Sequence, residues 1–131
     1  MRAAALRTIV LGLFVVAGCG GDHAPIPSRL AAIETEVFTP SCTFSSCHGA
    51  TSPEQGMSLT SPAWGAIVGV RSTEVSDLLR VAPGDPEGSY LWHKISNPSP
   101  PVGVRMPPDQ PLSPSAIEAI RAWIAAGAAN N

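Results

Sequence analysis

The sequence is poor in aromatic, charged and sulfur-containing residues. Aromatic residues make up 5% of the 131 positions, charged residues make up 14%, and there are three cysteines. No apolar run reaches the roughly 20 residues that a membrane-spanning helix requires. The eight Lys and Arg residues are scattered and form no basic cluster, so we expect no nucleic-acid partner.

Large side chains for a core are also few. Much of the apolar content beyond residue 18 is alanine, and six aromatic residues are found there: Phe38, Phe44, Trp64, Tyr90, Trp92 and Trp123. Domains of this size with such small side chains often depend on a disulfide, a metal or a cofactor for stability. The composition therefore leaves room for a large apolar guest.

The first residues have the layout of a secretory signal. Arg2 and Arg7 provide positive charge, residues 9–16 form a short apolar run, and small residues precede Cys19. This ending resembles the lipobox of bacterial lipoproteins, in which the cysteine thiol is acylated and the chain is cut just before it. An ordinary cleaved signal with an incidental Cys19, or an uncleaved anchor, is the alternative.

The lipobox resemblance divides the chain into three parts. Residues 1–18 are expected to be a lipoprotein signal peptide, residues 19–28 a lipidated tether, and residues 29–131 a single domain. The part from Cys19 onward has six Lys or Arg residues against ten Asp or Glu residues, a formal charge of −4. We expect an exported protein that is lipid-anchored to a bacterial membrane, at its periplasmic face or at the cell surface.

Four helices are predicted for the domain, which we assign to the all-α class. The first covers residues 29–38, with Ser28 as N-cap and Pro40 as the stop signal. Ser-Pro or Asp-Pro pairs are predicted to open the others, over residues 62–68, 86–95 and 114–126, and Gly127 ends the last one. No stretch alternates with the two-residue period of a strand.

A proline-rich segment separates the last two predicted helices. Residues 98–114 contain seven prolines, so they cannot form a helix and are expected to make a stiff, extended loop around the domain. Met106 lies in the middle of this loop. The placement is unusual, because methionine normally fills gaps in a core from a helix or a strand.

Cys42 and Cys47 are the cysteines that follow the lipidation site, and His48 comes directly after the second. Exported thiols rarely stay free, so this pair is expected to be disulfide-bonded, metal-bound or attached to a cofactor. Cys-x-x-Cys-His is the attachment signature of c-type haem. Four residues stand between these cysteines, so Phe44 and Ser45 are expected to loop outward if both sulfurs are to reach one haem.

The chain contains an ordered set of motifs: Phe38-Thr39-Pro40-Ser41-Cys42 through Cys47-His48-Gly49, Pro83-Gly84-Asp85-Pro86 with Ser89-Tyr90-Leu91, Arg105-Met106-Pro107, Pro111-Leu112-Ser113, and Ile120-Arg121-Ala122-Trp123-Ile124-Ala125-Ala126-Gly127. This set resembles the single-haem cytochrome c-like domains of bacterial surface lipoproteins, with a wider Cys-x4-Cys-His attachment motif. The resemblance covers nearly all of the chain from Leu30 onward. It implies four helices wrapped around one haem.

The resemblance also implies roles for individual residues. Cys42 and Cys47 would bind one covalent haem c, His48 would be the proximal iron ligand, and Met106 the distal one. A Met/His pair raises the reduction potential of haem iron. His23, His93 and Met57 compete with Met106 as the distal ligand: we place His23 in the tether, His93 on the third helix and Met57 under the haem edge. Arg105 pairs with a haem propionate or is only solvated.

These expectations lead to a membrane-tethered c-type cytochrome that carries single electrons between redox partner proteins. No nucleophile–base pair suggests an enzyme, and a six-coordinate haem has no open position for a substrate. The alternative is a haem-free surface lipoprotein in which Cys42 and Cys47 form a disulfide and the helices act as a structural or interaction module. Zinc is a weaker option, because a second pair of ligands is missing.

Overall fold

The structure is a computed structural model that describes residues 24–131. The predicted signal peptide, the predicted lipidation site at Cys19 and the competing ligand His23 lie outside the described residues.

Four helical segments make up the regular structure of the described part. They are α1 (residues 30–41), α2 (Trp64–Ile67), α3 (Tyr90–Ser96) and α4 (Pro114–Ala125), with a short 3₁₀ turn at Glu54–Gly56. Residues 24–131 contain isolated β-bridges and no strand, so the all-α class is confirmed. None of these helices has the length and apolar character needed to cross a membrane.

Helix α1 passes through Pro40, so the prediction that this proline stops the helix is wrong. Its turns are α-helical at Leu30–Ile33, π-helical at Glu34–Phe38 and α-helical again at Thr39–Ser41. A proline ring normally clashes with the carbonyl four residues earlier. The wider π-turn directly before Pro40 makes room for the ring, and the helix continues to Cys42, its C-cap.

The start of α1 is capped from a distant part of the chain. The predicted N-cap, Ser28, is wrong, because Arg29 occupies that position and its side chain makes no capping hydrogen bond. Instead, the Leu30 N–H donates to Oδ1 of Asn131 (2.9 Å), and the Ala31 N–H donates to the Asn131 carbonyl (2.8 Å). Two free N–H groups of the first turn are thereby satisfied.

Helix α2 begins later than predicted, at Trp64 rather than at Pro62. The buried Glu34 of α1 explains the difference. Its carboxylate accepts hydrogen bonds from the Ser61 hydroxyl (2.6 Å) and from the Ala63 N–H (2.7 Å), which fixes the segment before α2 against α1.

Helix α3 also begins later than predicted, at Tyr90 rather than after Asp85. Oδ1 of Asp85 accepts a hydrogen bond from the Gly88 N–H (3.0 Å), and the Asp85 carbonyl accepts one from the Ser89 hydroxyl (2.7 Å). Aspartate readily stabilises turns in this way, so the pair Asp85-Pro86 opens a turn. The extended Ser89 then leads into the helix.

Helix α4 matches the prediction. Ser113 caps it by accepting a hydrogen bond from the Ala116 N–H (3.2 Å), and the chain leaves the helix through Gly127, whose φ is +103°. The inner faces of α1, α3 and α4 supply most of the large buried side chains: Ile33, Val37, Phe38, Leu91, Ile95, Ile120, Trp123 and Ile124. The core therefore lies between α3 and the first and last helices of the described chain, α1 and α4.

The proline-rich segment contains no helix, as predicted, and is attached to α3. The Met106 N–H donates to the Lys94 carbonyl (2.7 Å). The Val102 carbonyl accepts hydrogen bonds from Nζ of Lys94 (3.0 Å) and from the Tyr90 hydroxyl (3.2 Å). These hydrogen bonds attach the loop to α3 at Val102 and at Met106, and they fix the backbone position of Met106.

Candidate functional site

A cavity of about 390 Å³ lies among the end of α1, the loop that follows it, α3, α4 and the proline-rich loop. This volume is in the range of about 300–1,000 Å³ that small-molecule and cofactor sites occupy. Its wall is largely apolar and includes Phe38, Leu59, Leu91 and Ile120. The four residues that the sequence predicted to act together, Cys42, Cys47, His48 and Met106, all line it.

The two cysteines reach the cavity from the two ends of one short loop. Cys42 ends α1 by donating its N–H to the Phe38 carbonyl (2.8 Å), and the His48 N–H returns to the Cys42 carbonyl (3.0 Å). Phe44 is 58% exposed and Ser45 is also exposed, so these two residues turn outward as predicted, whereas Ser46 lies on the cavity wall. The bulge therefore lets both cysteines contribute to the cavity wall.

Gly49 allows this loop to close tightly. A Cβ atom at this position would lie 3.1 Å from the Thr43 carbonyl oxygen and 3.2 Å from that of Phe44. Both distances are shorter than ordinary van der Waals contact, and both neighbours are backbone atoms. The glycine after His48 is thus needed for close approach of the chain.

The cysteines are free thiols, and both are partly buried. Burial, assisted by the nearby Cys47, raises the pKa of Cys42 from 9.0 to about 11. Cys42 is therefore a neutral thiol at physiological pH, which suits a group enclosed by apolar side chains.

The His48 ring is held by the backbone through its Nδ1 atom, which lies 2.9 Å from the Met57 carbonyl oxygen. A carbonyl oxygen can only accept, so Nδ1 of the neutral ring carries the proton and Nε2 has the free lone pair. The His48 carbonyl also accepts a hydrogen bond from the Leu59 N–H (2.9 Å). The segment around His48 is therefore joined to residues 57–59 at two points. This is the arrangement in which histidine binds a metal through Nε2.

The structure distinguishes between the residues that compete with Met106 for the role of distal ligand. Met57 lines the cavity, but its backbone lies beside His48, whereas Met106 enters from the proline-rich loop. His93 is not among the residues of the cavity wall, and its Nε2 lies 2.8 Å from the Glu87 carbonyl. Of the described alternatives to Met106, Met57 alone therefore has access to the cavity.

Sequence reasoning missed the polar part of the cavity wall. Arg80, Lys94 and Tyr90 line it although all three are buried, and Glu74 lies beside them and pairs with Lys94 (3.6 Å). Burial, with smaller effects from Glu74, raises the pKa of Tyr90 to about 12. The sequence contains one signal for Arg80, because it is a single cation within the apolar run Leu78-Leu79-Arg80-Val81.

Arg105, expected to pair with a propionate or to be solvated, is half-buried and is not part of the cavity wall. Within the described part of the chain its Nε atom is buried and has no hydrogen-bond partner.

No family model, curated protein or solved structure matches this chain. The site is therefore interpreted from its own chemistry. Two cysteines, one histidine and one methionine line a largely apolar cavity, and Arg80 and Lys94 lie on its polar side. This donor set fits a haem that is attached through thioether bonds and held by histidine and methionine.

Proposed function

We propose that this chain is a membrane-tethered c-type cytochrome that carries single electrons through one covalently bound haem. The observation that carries the proposal is the convergence of Cys42, Cys47, His48 and Met106 on one apolar cavity. The first three come from the segment after α1, and Met106 comes from a loop about 60 residues later. A structural disulfide would account for the two cysteines but not for the other two residues.

Each of these residues has a definite task in the proposed site. Cys42 and Cys47 would hold the haem through thioether bonds, His48 would bind the iron through Nε2, and Met106 would bind it through sulfur. When bound, the haem supplies the one-electron redox chemistry. The chain's own contribution is to position these groups and to exclude water from them.

The hydrogen bond between His48 and Met57 supports the proximal role of His48. Donation from Nδ1 to a carbonyl fixes the orientation of the ring and makes Nε2 more basic, which strengthens a metal–imidazole bond. The bond also keeps the protonated nitrogen directed away from the iron site. His48 is itself part of the cavity wall, so its orientation by Met57 bears directly on what the cavity can bind.

The apolar wall supports the redox role. Low polarity around a haem disfavours the more highly charged ferric state, so it raises the reduction potential, as does methionine ligation. The proposed partners are redox proteins at the same membrane, and the lipid at Cys19 would keep the domain beside them. We propose an electron carrier and not an enzyme.

The full chain should be produced in a bacterium that has a c-type cytochrome maturation system. We expect sharp reduced α and β absorption bands and a haem that stays with the protein after denaturation and acid-acetone extraction. Cys47→Ala should lose one thioether bond, which the pyridine haemochrome spectrum detects. His48→Ala should lose the low-spin spectrum, because the iron loses its proximal ligand.

His93→Ala is the matched control, since His93 lies outside the cavity wall and should leave the spectra unchanged. A purified wild-type protein without haem, in which mass spectrometry finds a Cys42–Cys47 disulfide, would contradict the proposal. That result would favour a haem-free interaction module.

A further inference from the structure

Arg80 is a buried cation on the cavity wall. Its side chain is 8% exposed, and its guanidinium donates to three backbone carbonyls: Nη1 to Ala66 (2.8 Å) and Gly56 (3.4 Å), and Nη2 to Gln55 (2.7 Å). Burial lowers the pKa of its guanidinium. Removing a charge from water is costly unless an opposite charge compensates for it.

Within residues 24–131, no carboxylate lies within 4.0 Å of this guanidinium. Glu74, which lines the same cavity, forms its ion pair with Lys94 instead. Glu54, the other carboxylate of the wall, is exposed to solvent. Lys94 is therefore compensated, whereas Arg80 has only carbonyl dipoles around it.

The hydrogen-bonding capacity of Arg80 is also incomplete. A guanidinium has five N–H groups, and the three carbonyl bonds use three of them. One N–H on Nη2 and the N–H on Nε remain without an acceptor among the described residues. Arginine binds a carboxylate well because it can offer two N–H groups together, which a lysine cannot do.

We propose that Arg80 binds a carboxylate of the molecule that occupies the cavity, which under the function proposed above is a haem propionate. The inference rests on that function and names the residue that orients the polar edge of the haem. The three carbonyls hold the guanidinium in place before the ligand arrives. The carboxylate then supplies the missing counter-charge in the cavity wall.

The test uses full-length, haem-loaded protein and resonance Raman spectroscopy, which detects the propionate bending mode. In wild-type protein we expect this band to shift when guanidinium chloride unfolds the domain, because the propionate leaves its partner while the haem stays attached. Arg80→Gln should move the native band towards its unfolded position and lower the reduction potential. Arg80→Lys, which keeps the charge, should have a smaller effect on both.

Arg71→Gln is the matched control, since Arg71 is exposed in the same segment and its guanidinium bonds only to the Ser76 carbonyl (2.6 Å). It should leave the propionate band and the potential unchanged. Arg105→Gln provides a second comparison because the buried Nε of Arg105 is also without a partner.

Three results with haem-loaded protein would overturn the inference. The first is that the propionate band of the wild-type protein has the same position in the native and the unfolded state. This comparison uses no variant, so it does not depend on whether a variant folds. Arg80→Gln could destabilise the domain without moving the band, which would make Arg80 a purely structural residue. The band could instead move in Arg105→Gln alone. If the wild-type protein carries no haem at all, the proposed function fails, and this inference fails with it.

Discussion

Met106 is held at the cavity by its own backbone. Its N–H bonds to the Lys94 carbonyl, and two prolines follow it directly. A thioether is a weak ligand for ferric iron, so a mobile loop would lose it to water or to an imidazole. Pro107 and Pro108 reduce the conformational freedom that the loop has to lose when the sulfur binds.

Met106→Ala is therefore expected to keep the haem covalently attached while it removes the weak absorption band of methionine-ligated ferric haem. The reduction potential should fall, because thioether ligation is what raises it. Absorption spectra of the oxidised protein and a potentiometric titration measure the two effects.

Met57→Ala is the matched control for this variant, because Met57 also lines the cavity. It should keep the band and most of the potential. Loss of the band in Met57→Ala, with an unchanged spectrum in Met106→Ala, would transfer the distal role to Met57.

The sequence predicted these site residues because each belongs to a recognisable local pattern. A histidine next to a cysteine and a methionine among prolines are both visible without a structure. Arg80 stands out in the sequence only as a single cation within an apolar run, and the carbonyls that hold it come from residues 55, 56 and 66. Long-range contacts of this kind have no signature in a single sequence.

At the level of elements, the existence of the four helices was predictable and three of their starting points were not. Ser28, Pro62 and Asp85-Pro86 all have the local chemistry of helix starts. Tertiary contacts decided the first two starts, since Asn131 caps α1 and Glu34 holds the segment before α2. A local turn between Asp85 and Gly88 decided the third. Only Ser113 starts its helix as its local sequence predicts.

The cap of α1 can be tested by substitution. Asn131→Ala should destabilise the domain by about 0.5–2 kcal/mol, because the Leu30 N–H loses its acceptor. Denaturant unfolding followed by circular dichroism measures the change.

Ser28→Ala is the control that separates the structure from the local prediction. It should have no measurable effect, since the Ser28 side chain plays no part in capping α1. The opposite pattern, with a loss in Ser28→Ala and none in Asn131→Ala, would mean that the helix is capped by its own neighbouring residue.

For the whole molecule, the proposed haem would be a large part of the core. The buried side chains of the described domain include many alanines, among them Ala32, Ala63, Ala116 and Ala119. These alanines pack within the side-chain core, and a bound porphyrin would fill the cavity beside it, against larger side chains such as Phe38, Leu91 and Ile120. The domain and its proposed cofactor would then fold as one unit.

The tether is tested at Cys19. Cys19→Ala should move the protein from the membrane fraction to the soluble fraction, because the acyl chains that we propose for this thiol provide the anchoring. Its absorption spectrum should stay the same as that of the wild-type protein. Fractionation, together with metabolic labelling by an alkyne fatty acid, measures the change.

Continued membrane association of Cys19→Ala, with the fatty-acid label retained, would contradict the proposed anchor. The label should still be incorporated into Cys47→Ala, in which a different cysteine is removed.

The π-turn of α1 has a consequence for how the length of this chain can vary. A π-turn takes up one more residue than an α-turn while the helix on either side continues along the same axis. Loss of one residue from Glu34–Phe38 would restore a regular helix, but it would bring the Pro40 ring against the carbonyl four residues earlier. Replacement of Pro40 removes that conflict. Loss of the extra residue therefore requires loss of the proline, and we expect variants of this chain that lack the π-turn to lack Pro40 as well.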